Sequence, residues 1–309
     1  MQDEEGRWPL EGTYEFAAEL PEVYELAEDV EALVVEVSVT GDQAALTAYD
    51  PNNVVLSVNF EEGNSFKNLA YNESGFSSLR NDVMNLLNQH GITVTSSGEN
   101  RFQLIMTNAS VQNLELSRGT WEIVLNGRNV LEGKGGVGLK IKENVSATIK
   151  AETASASLTV KNSPTKRTSD DASSAIVVAG SLTIESGTIE AAAYAEQNSD
   201  PVSGAIVVQS NGTLNISGGS VTAAGTHKNG VYVRRNFQMT GGSLTVTGSG
   251  KPGIENEGNF KLSGGTISTK SNSDGIGFLQ RGGSATIQAK ELNTDRLYIN
   301  GNSSFTVAR

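Results

Sequence analysis

The sequence predicts a mainly β chain: a right-handed parallel β-helix with three short strands per coil and a smaller N-terminal mixed α/β capping module. Three observations carry that prediction: a recurring motif, period-2 alternation within each copy, and glycine pairs at equivalent places. Ile184-Glu185-Ser186-Gly187-Thr188-Ile189-Glu190 aligns with Ile216-Ser217-Gly218-Gly219-Ser220-Val221-Thr222. Met239-Thr240-Gly241-Gly242-Ser243-Leu244-Thr245 and Leu262-Ser263-Gly264-Gly265-Thr266-Ile267-Ser268 continue the series, each glycine pair 23 residues after the one before.

Upstream of each motif lies a short alternating strand, Leu182/Ile184, Leu214/Ile216, Phe237/Met239 and Phe260/Leu262. Further upstream lies another, Ile176/Val178, Ile206/Val208, Val231/Val233 and Ile254/Asn256. A glycine opens the later copies, at Gly204, Gly230, Gly253 and Gly275. Each copy therefore reads as three strands joined by sharp glycine turns, with alternate side chains inward and outward. One such copy cannot bury its own apolar face. Stacking the copies does so, pairing each strand with its equivalent one coil away at about 4.8 Å. The expected coil starts, Ile176, Ile206, Val231, Ile254 and Ile276, are spaced 30, 25, 23 and 22 residues. An antiparallel sandwich would alternate too, but nothing in it demands a repeat. Val221, Leu244 and Ile267 are expected to form one inward column.

Earlier segments fit the template less regularly. Trp121/Ile123/Leu125, Val137/Leu139/Ile141, Ala147/Ile149 and Leu158/Val160 read as irregular first coils. Before them Leu79, Val83 and Leu86/Leu87 fall at helical spacing, with Ser77 as N-cap and Gly91 beyond the end. Residues 33–60 alternate as strands. The division expected is 1–100 for an acidic N-terminal module that covers the open end of the coils, and 101–309 for the solenoid, because unclosed coils expose strand edges.

Composition limits the function classes. The 309 residues carry a formal charge of −12, and residues 1–36 hold twelve acids against Arg7 alone. The other 23 acids face 22 bases, so no basic patch exists to neutralise phosphates and nucleic acid is excluded as a partner. There are no cysteines, which removes disulfides, thiolate metal sites and a cysteine nucleophile. No run of eighteen or more apolar residues suggests a membrane span. Met1-Gln2-Asp3-Glu4 begins neither a basic nor an apolar leader segment, so no signal peptide is expected within the chain.

Motifs with chemical meaning are few. Gly133-Lys134-Gly135-Gly136-Val137-Gly138 satisfies a nucleotide-loop pattern, but it leads into the alternating Leu139-Lys140-Ile141 instead of a helix whose amides could hold phosphate. It reads as a turn. His90 and His227 are the two histidines, one at a helix end and one in a loop. Carboxylates for acid–base work or for Ca²⁺ would come from Asp170, Asp171, Asp200 and Asp274, all in loops, and no calcium-binding motif occurs, so no cofactor is expected. After the glycine pairs, Ser220/Thr222, Ser243/Thr245 and Thr266/Ser268 should form two outward hydroxyl columns on one flat face. Long loops at 161–174, 190–203 and 224–229 should leave one corner, bringing Tyr194, Asp200 and His227 together. An aromatic side chain flanked by hydrogen-bonding groups suits a sugar.

The opening Trp121-Glu122-Ile123-Val124-Leu125-Asn126-Gly127, then Gly138-Leu139-Lys140-Ile141, Ala147-Thr148-Ile149 and the later Ile-Ser-Gly-Gly-Ser-Val-Thr coils resemble the pectate-lyase-like parallel β-helices of bacterial surface proteins known as carbohydrate-binding domain proteins. The likeness covers about residues 115–300, and the Gly-Ile-Gly coil opening of that family recurs here at Gly275-Ile276-Gly277. The resemblance implies a secreted or cell-surface location and contact with polysaccharide. The expected function is a non-catalytic binding module for polysaccharide or another surface glycan or protein, with Tyr194, Asp200, His227, Thr222 and Thr245 as ligand-binding residues. A structural or adhesive stalk and a polysaccharide lyase or hydrolase are the alternatives.

Overall fold

The computed structural model describes residues 34–40, 43–49, 54–59, 65–72, 75–76, 81–134, 136–163, 174–194, 204–272, 275–288, 292–301 and 303–308. Among them, short strands recur in three parallel stacks, each strand paired with its counterpart one coil away. Stack A holds Asn113–Leu116, Leu139–Ile141, Ile176–Val178, Gly204–Val208, Asn229–Val233, Ile254–Asn256, Phe278–Gln280 and Leu297–Ile299. Stack B begins at Arg101–Thr107 and Thr120–Asn126, continues through Ser146–Ala151, Ser181–Ile184 and Thr213–Ile216, and ends at Ser284–Gln288 and Ser304–Ala308. Stack C holds Ser110–Val111, Arg128–Lys134, Ser157–Ser163, Thr188–Tyr194, Ser220–Thr226 and Leu292–Thr294. Two long strands, Asn236–Ser249 and Asn259–Ser271, each contribute to both B and C. This is the architecture of a parallel β-solenoid.

The core is the space the three stacks enclose. Alternation sends one side chain of each pair inward, and those positions are apolar almost throughout. Leu158, Ile189, Val221, Leu244, Ile267 and Leu292 form one inward column of stack C in continuous register. The expected column Val221, Leu244 and Ile267 is thus its central part, each residue 1% exposed. Aromatic rings also stack from coil to coil. Phe237 and Phe260 lie 4.3 Å apart and nearly parallel, and Phe102 and Trp121 lie 4.7 Å apart nearer the N-terminus.

The N-terminal edge is closed by antiparallel strands. Val54–Asn59 pairs antiparallel with Asn113–Leu116, and Ile92–Gly98 pairs antiparallel with Arg101–Thr107. A parallel coil edge would otherwise leave a row of unpaired amides and carbonyls. The helix runs Asn81–Gln89 and buries Leu87, while Ser77 and Leu79 lie outside the described residues. Val34–Thr40 and Gln43–Tyr49 form a separate antiparallel pair. At the other end, Leu297, Ile299 and Val307 are 39%, 41% and 56% exposed although they occupy inward positions. No helix among the described residues is long and apolar enough to cross a membrane.

Three sequence expectations need correction. The fifth coil start is Phe278, which pairs with Ile254, and not Ile276, and a further coil begins at Leu297. Register follows the inward apolar residue, and Gly277, not Gly275, stacks under Gly253. Likewise Gly204 pairs with Asn229, one position before Gly230. The glycine pairs also do not break the strands in the last coils. Gly241-Gly242 and Gly264-Gly265 sit within the long strands, which absorb the corner as an irregularity near Thr240. Gly242 has φ of 77°, a left-handed conformation, and a Cβ there would lie 2.6 Å from the Gly219 carbonyl oxygen. Stacking leaves no room for a side chain at that point.

Candidate functional site

The corner where stack C passes into stack A is where the chain departs most from a minimal coil. Between Ser163 and Ile176, and between Tyr194 and Gly204, the connections are the longest in sequence, and residues 164–173 and 195–203 lie outside the described set. Asp170, Asp171, Asp200 and Asp274 lie outside it as well, and with them the expected place of Asp200 at this corner.

Tyr194 is not in a loop, as its sequence context implied. It is the last residue of the strand Thr188–Tyr194, at an outward position, and is 45% exposed. In the next coil Thr226 pairs with it in register, and Ser249 follows Thr226. His227 comes immediately after, with φ of 57°, in a turn of two residues before Asn229–Val233. That left-handed turn swings the imidazole back toward the preceding coil. The rings of Tyr194 and His227 meet edge to face with centroids 6.5 Å apart. Tyr194 and His227 therefore stand together on adjacent coils.

Beyond His227 the chain turns inward and becomes polar and buried. Lys228 and Asn229 are each 1% exposed. Asn229 donates from Nδ2 to Glu255 Oε2 at 3.2 Å, and Arg281 Nε lies 2.6 Å from Glu255 Oε1. Glu257 lies 4.0 Å from the same Arg281 nitrogen. The Tyr232 hydroxyl donates to Glu257, and burial together with that bond pushes its pKa well above the usual phenol value. Burial likewise raises the Glu255 carboxyl above its ordinary range, opposed by the Arg281 charge and the Asn229 amide. Alternation between Val231 and Val233 puts Tyr232 on an outward strand position, whereas no motif singles out Glu255, Glu257 or Arg281. The outward side of stack A is nevertheless buried here, with Val177, Val207 and Tyr232 in an apolar cluster against Val137. No sequence rule marks an outward strand face as buried when its cover comes from elsewhere in the fold.

The expected hydroxyl columns are in register on stack C. Ser220, Ser243 and Thr266 align, as do Thr222, Thr245 and Ser268, and Ser243 Oγ donates to Ser220 Oγ at 3.2 Å. Upstream, Glu190 takes the place of a hydroxyl beside Thr222, and Thr159 donates to its carboxylate at 3.4 Å. A longer polar column, missed in the sequence, runs along the outward side of stack B. It comprises Thr120, Ser146, Ser181, Thr213, Asn236, Asn259, Ser284 and Ser304. The dipeptide Asn-Phe at Asn236-Phe237 and Asn259-Phe260 was the available signal.

Among the described residues no group of three or more His, Asp or Glu side chains is placed to hold a metal ion. The corner offers an exposed aromatic ring, an imidazole and hydroxyls at fixed positions, a set that can stack on and hydrogen-bond a sugar ring. No protein-family model, curated protein or solved structure matches the chain.

Proposed function

We propose that this chain is a non-catalytic, extracellular or cell-surface binding module whose ligand is polysaccharide or another surface glycan. The observation that carries the reading is the pair of exposed Tyr194 and half-buried His227 on adjacent coils, beside the hydroxyl column that contains Thr222 and Thr245. We take the coil to be right-handed, as parallel β-crossovers almost always are, and to belong with the bacterial surface β-helices that its repeat resembles. The stacked strands hold the backbone of these groups in place before binding, which lowers the cost of ordering them and favours recognition of a repeating polymer. On a glycan array, Tyr194→Ala and His227→Ala should each weaken binding about tenfold while leaving the melting temperature unchanged, since both side chains are outside the core. Parental affinity in both variants would remove the corner as the contact.

A second reading, a polysaccharide lyase or hydrolase, is favoured by the Glu255, Glu257, Arg281 and Tyr232 cluster spanning successive coils. Carboxylates beside arginine are the groups such chemistry employs. Polysaccharide cleavage that is abolished by Glu257→Gln and kept by Tyr194→Ala would replace the binding reading with this one.

A further inference from the structure

The polar column on stack B is more than a set of solvated side chains. From Thr213 to Ser284 its members are tied to one another in a single direction. Asn236 donates from Nδ2 to Thr213 Oγ1 at 3.3 Å, Asn259 donates from Nδ2 to Asn236 Oδ1 at 3.2 Å, and Ser284 donates from Oγ to Asn259 Oδ1 at 3.0 Å. Each amide in this ladder spends one N–H and one oxygen lone pair on its neighbours. One N–H and one lone pair per asparagine remain. These spare groups cannot rotate independently, because each rotamer is fixed by the coil on either side. The ladder thus presents donors and acceptors already oriented at intervals of about 4.8 Å along the solenoid axis.

Its charge is as distinctive as its geometry. The column next to it reads Asn215, Gln238, Lys261, Thr286 and Thr306. Across these two columns Lys261 is the one ionisable side chain, in a chain whose net charge is −12. Closer to the N-terminus the same face is ionic instead, with Lys150 between Glu122 at 3.4 Å and Glu185 at 3.7 Å. The break between the ionic and the neutral half falls at the coil where the ladder begins.

We infer that the strip Thr213, Asn236, Asn259, Ser284 and Ser304 is a docking track for an extended, neutral polysaccharide lying parallel to the solenoid axis. This rests on the glycan-binding reading above and assigns it a second surface and a ligand class. A neutral polymer that repeats its hydroxyls along its length matches a face with repeating spare donors and acceptors and almost no charge. The five members span four coil steps, roughly 19 Å, so a single sugar engages only part of the track and affinity grows with chain length. An anionic polymer would find one lysine within these columns and Arg235 at their edge beside Asn236, and its binding would be screened by salt.

The test uses the full chain with hydroxyethylcellulose and laminarin as neutral probes, polygalacturonate as the uronate probe, and short oligosaccharides of the neutral series. The parent should bind the neutral polymers with affinity unchanged by added salt, because neutral contacts are not screened. Asn236→Ala with Asn259→Ala should weaken long neutral chains at least tenfold and leave disaccharide binding as it was, a difference that a merely structural ladder would not produce. Asn236→Ser with Asn259→Ser is the second variant if the alanine pair folds poorly, and it should show the same chain-length-dependent loss in smaller degree. Parental affinity for long neutral chains in a folded double variant, with Tyr194→Ala still defective, would overturn the track and leave the corner site standing. Salt-sensitive binding confined to polygalacturonate would overturn the assigned ligand class, and no binding to any glycan would remove both readings.

Discussion

The same inward column of stack C is built differently at its two ends. From Leu158 to Leu292 it is wholly apolar, and the corner before it in the later coils is turned by left-handed glycines, Gly219, Gly242 and Gly265. One coil before Leu158 the column holds Asn129, which is 1% exposed. Its Oδ1 accepts from the Ala109 N–H at 2.9 Å, and its Nδ2 donates to the carbonyls of Asn126 at 3.3 Å and Ser157 at 3.1 Å. One buried side chain thus ties together three successive coils. The two regions solve one problem, the backbone groups that a sharp corner leaves without strand partners. Where glycine solves it, the corner closes against the coil beneath and must recur in every coil. Where asparagine solves it, a single residue serves several coils and nothing needs to repeat.

The largest effect should come from the glycine-cornered region. Leu244→Asp places a carboxylate in a dry apolar column with no partner, a cost of several kcal/mol against a total stability of about 5–15 kcal/mol. The variant should lose its cooperative thermal transition in calorimetry, and a melt like the parent's would mean that Leu244 does not face the core. Gly242→Ala comes next. A left-handed alanine costs about 1–3 kcal/mol, and the Gly219 carbonyl must also move aside, so a loss near 3 kcal/mol in urea unfolding is expected. A neutral outcome would show that the corner is looser than the stacked glycines imply. Asn129→Ala should cost about 2 kcal/mol, since the buried Ala109 amide loses its acceptor. Its amide should also exchange hydrogen faster, whereas the Gly242 variant should leave Ala109 protected. Equal exchange at Ala109 in both variants would erase the distinction between the two regions.

This contrast also explains what could be read from the sequence. The coils from Ile176 onward were legible because glycine corners and the hydroxyls after them impose chemical identity at fixed spacing. Trp121, Ile123 and Leu125 pair in register with Phe102, Leu104 and Met106. Between those strands only apolarity is conserved in character, so the coil at Arg101–Thr107 left no motif. The asparagine column on stack B was visible only as Asn236 and Asn259, because Ser, Thr and Asn substitute for one another in an outward column. Of the candidate site, Tyr194 and His227 were legible as chemistry, and the structure shows them meeting. The buried Glu255 that pairs with Arg281 was not, because outward alternation predicts exposure and says nothing of what covers a face.

The core, the corner and the polar column all depend on register, on the pairing of each strand with its equivalent one coil away. The chain has no cysteine, so a pair introduced at exposed positions reports on register alone. Thr222 pairs with Thr245, and Thr245 with Ser268. Adjacent coils put paired Cα atoms about 4.8 Å apart, within disulfide reach, whereas two coils separate them by roughly 9.6 Å, beyond it. Under mild oxidation, Thr222→Cys with Thr245→Cys should lose both free thiols to an intramolecular bond that reductant restores. Thr222→Cys with Ser268→Cys should keep both thiols. Cross-linking of the second pair in preference to the first would contradict the stacked-coil register on which the core, the corner site and the docking track all rest.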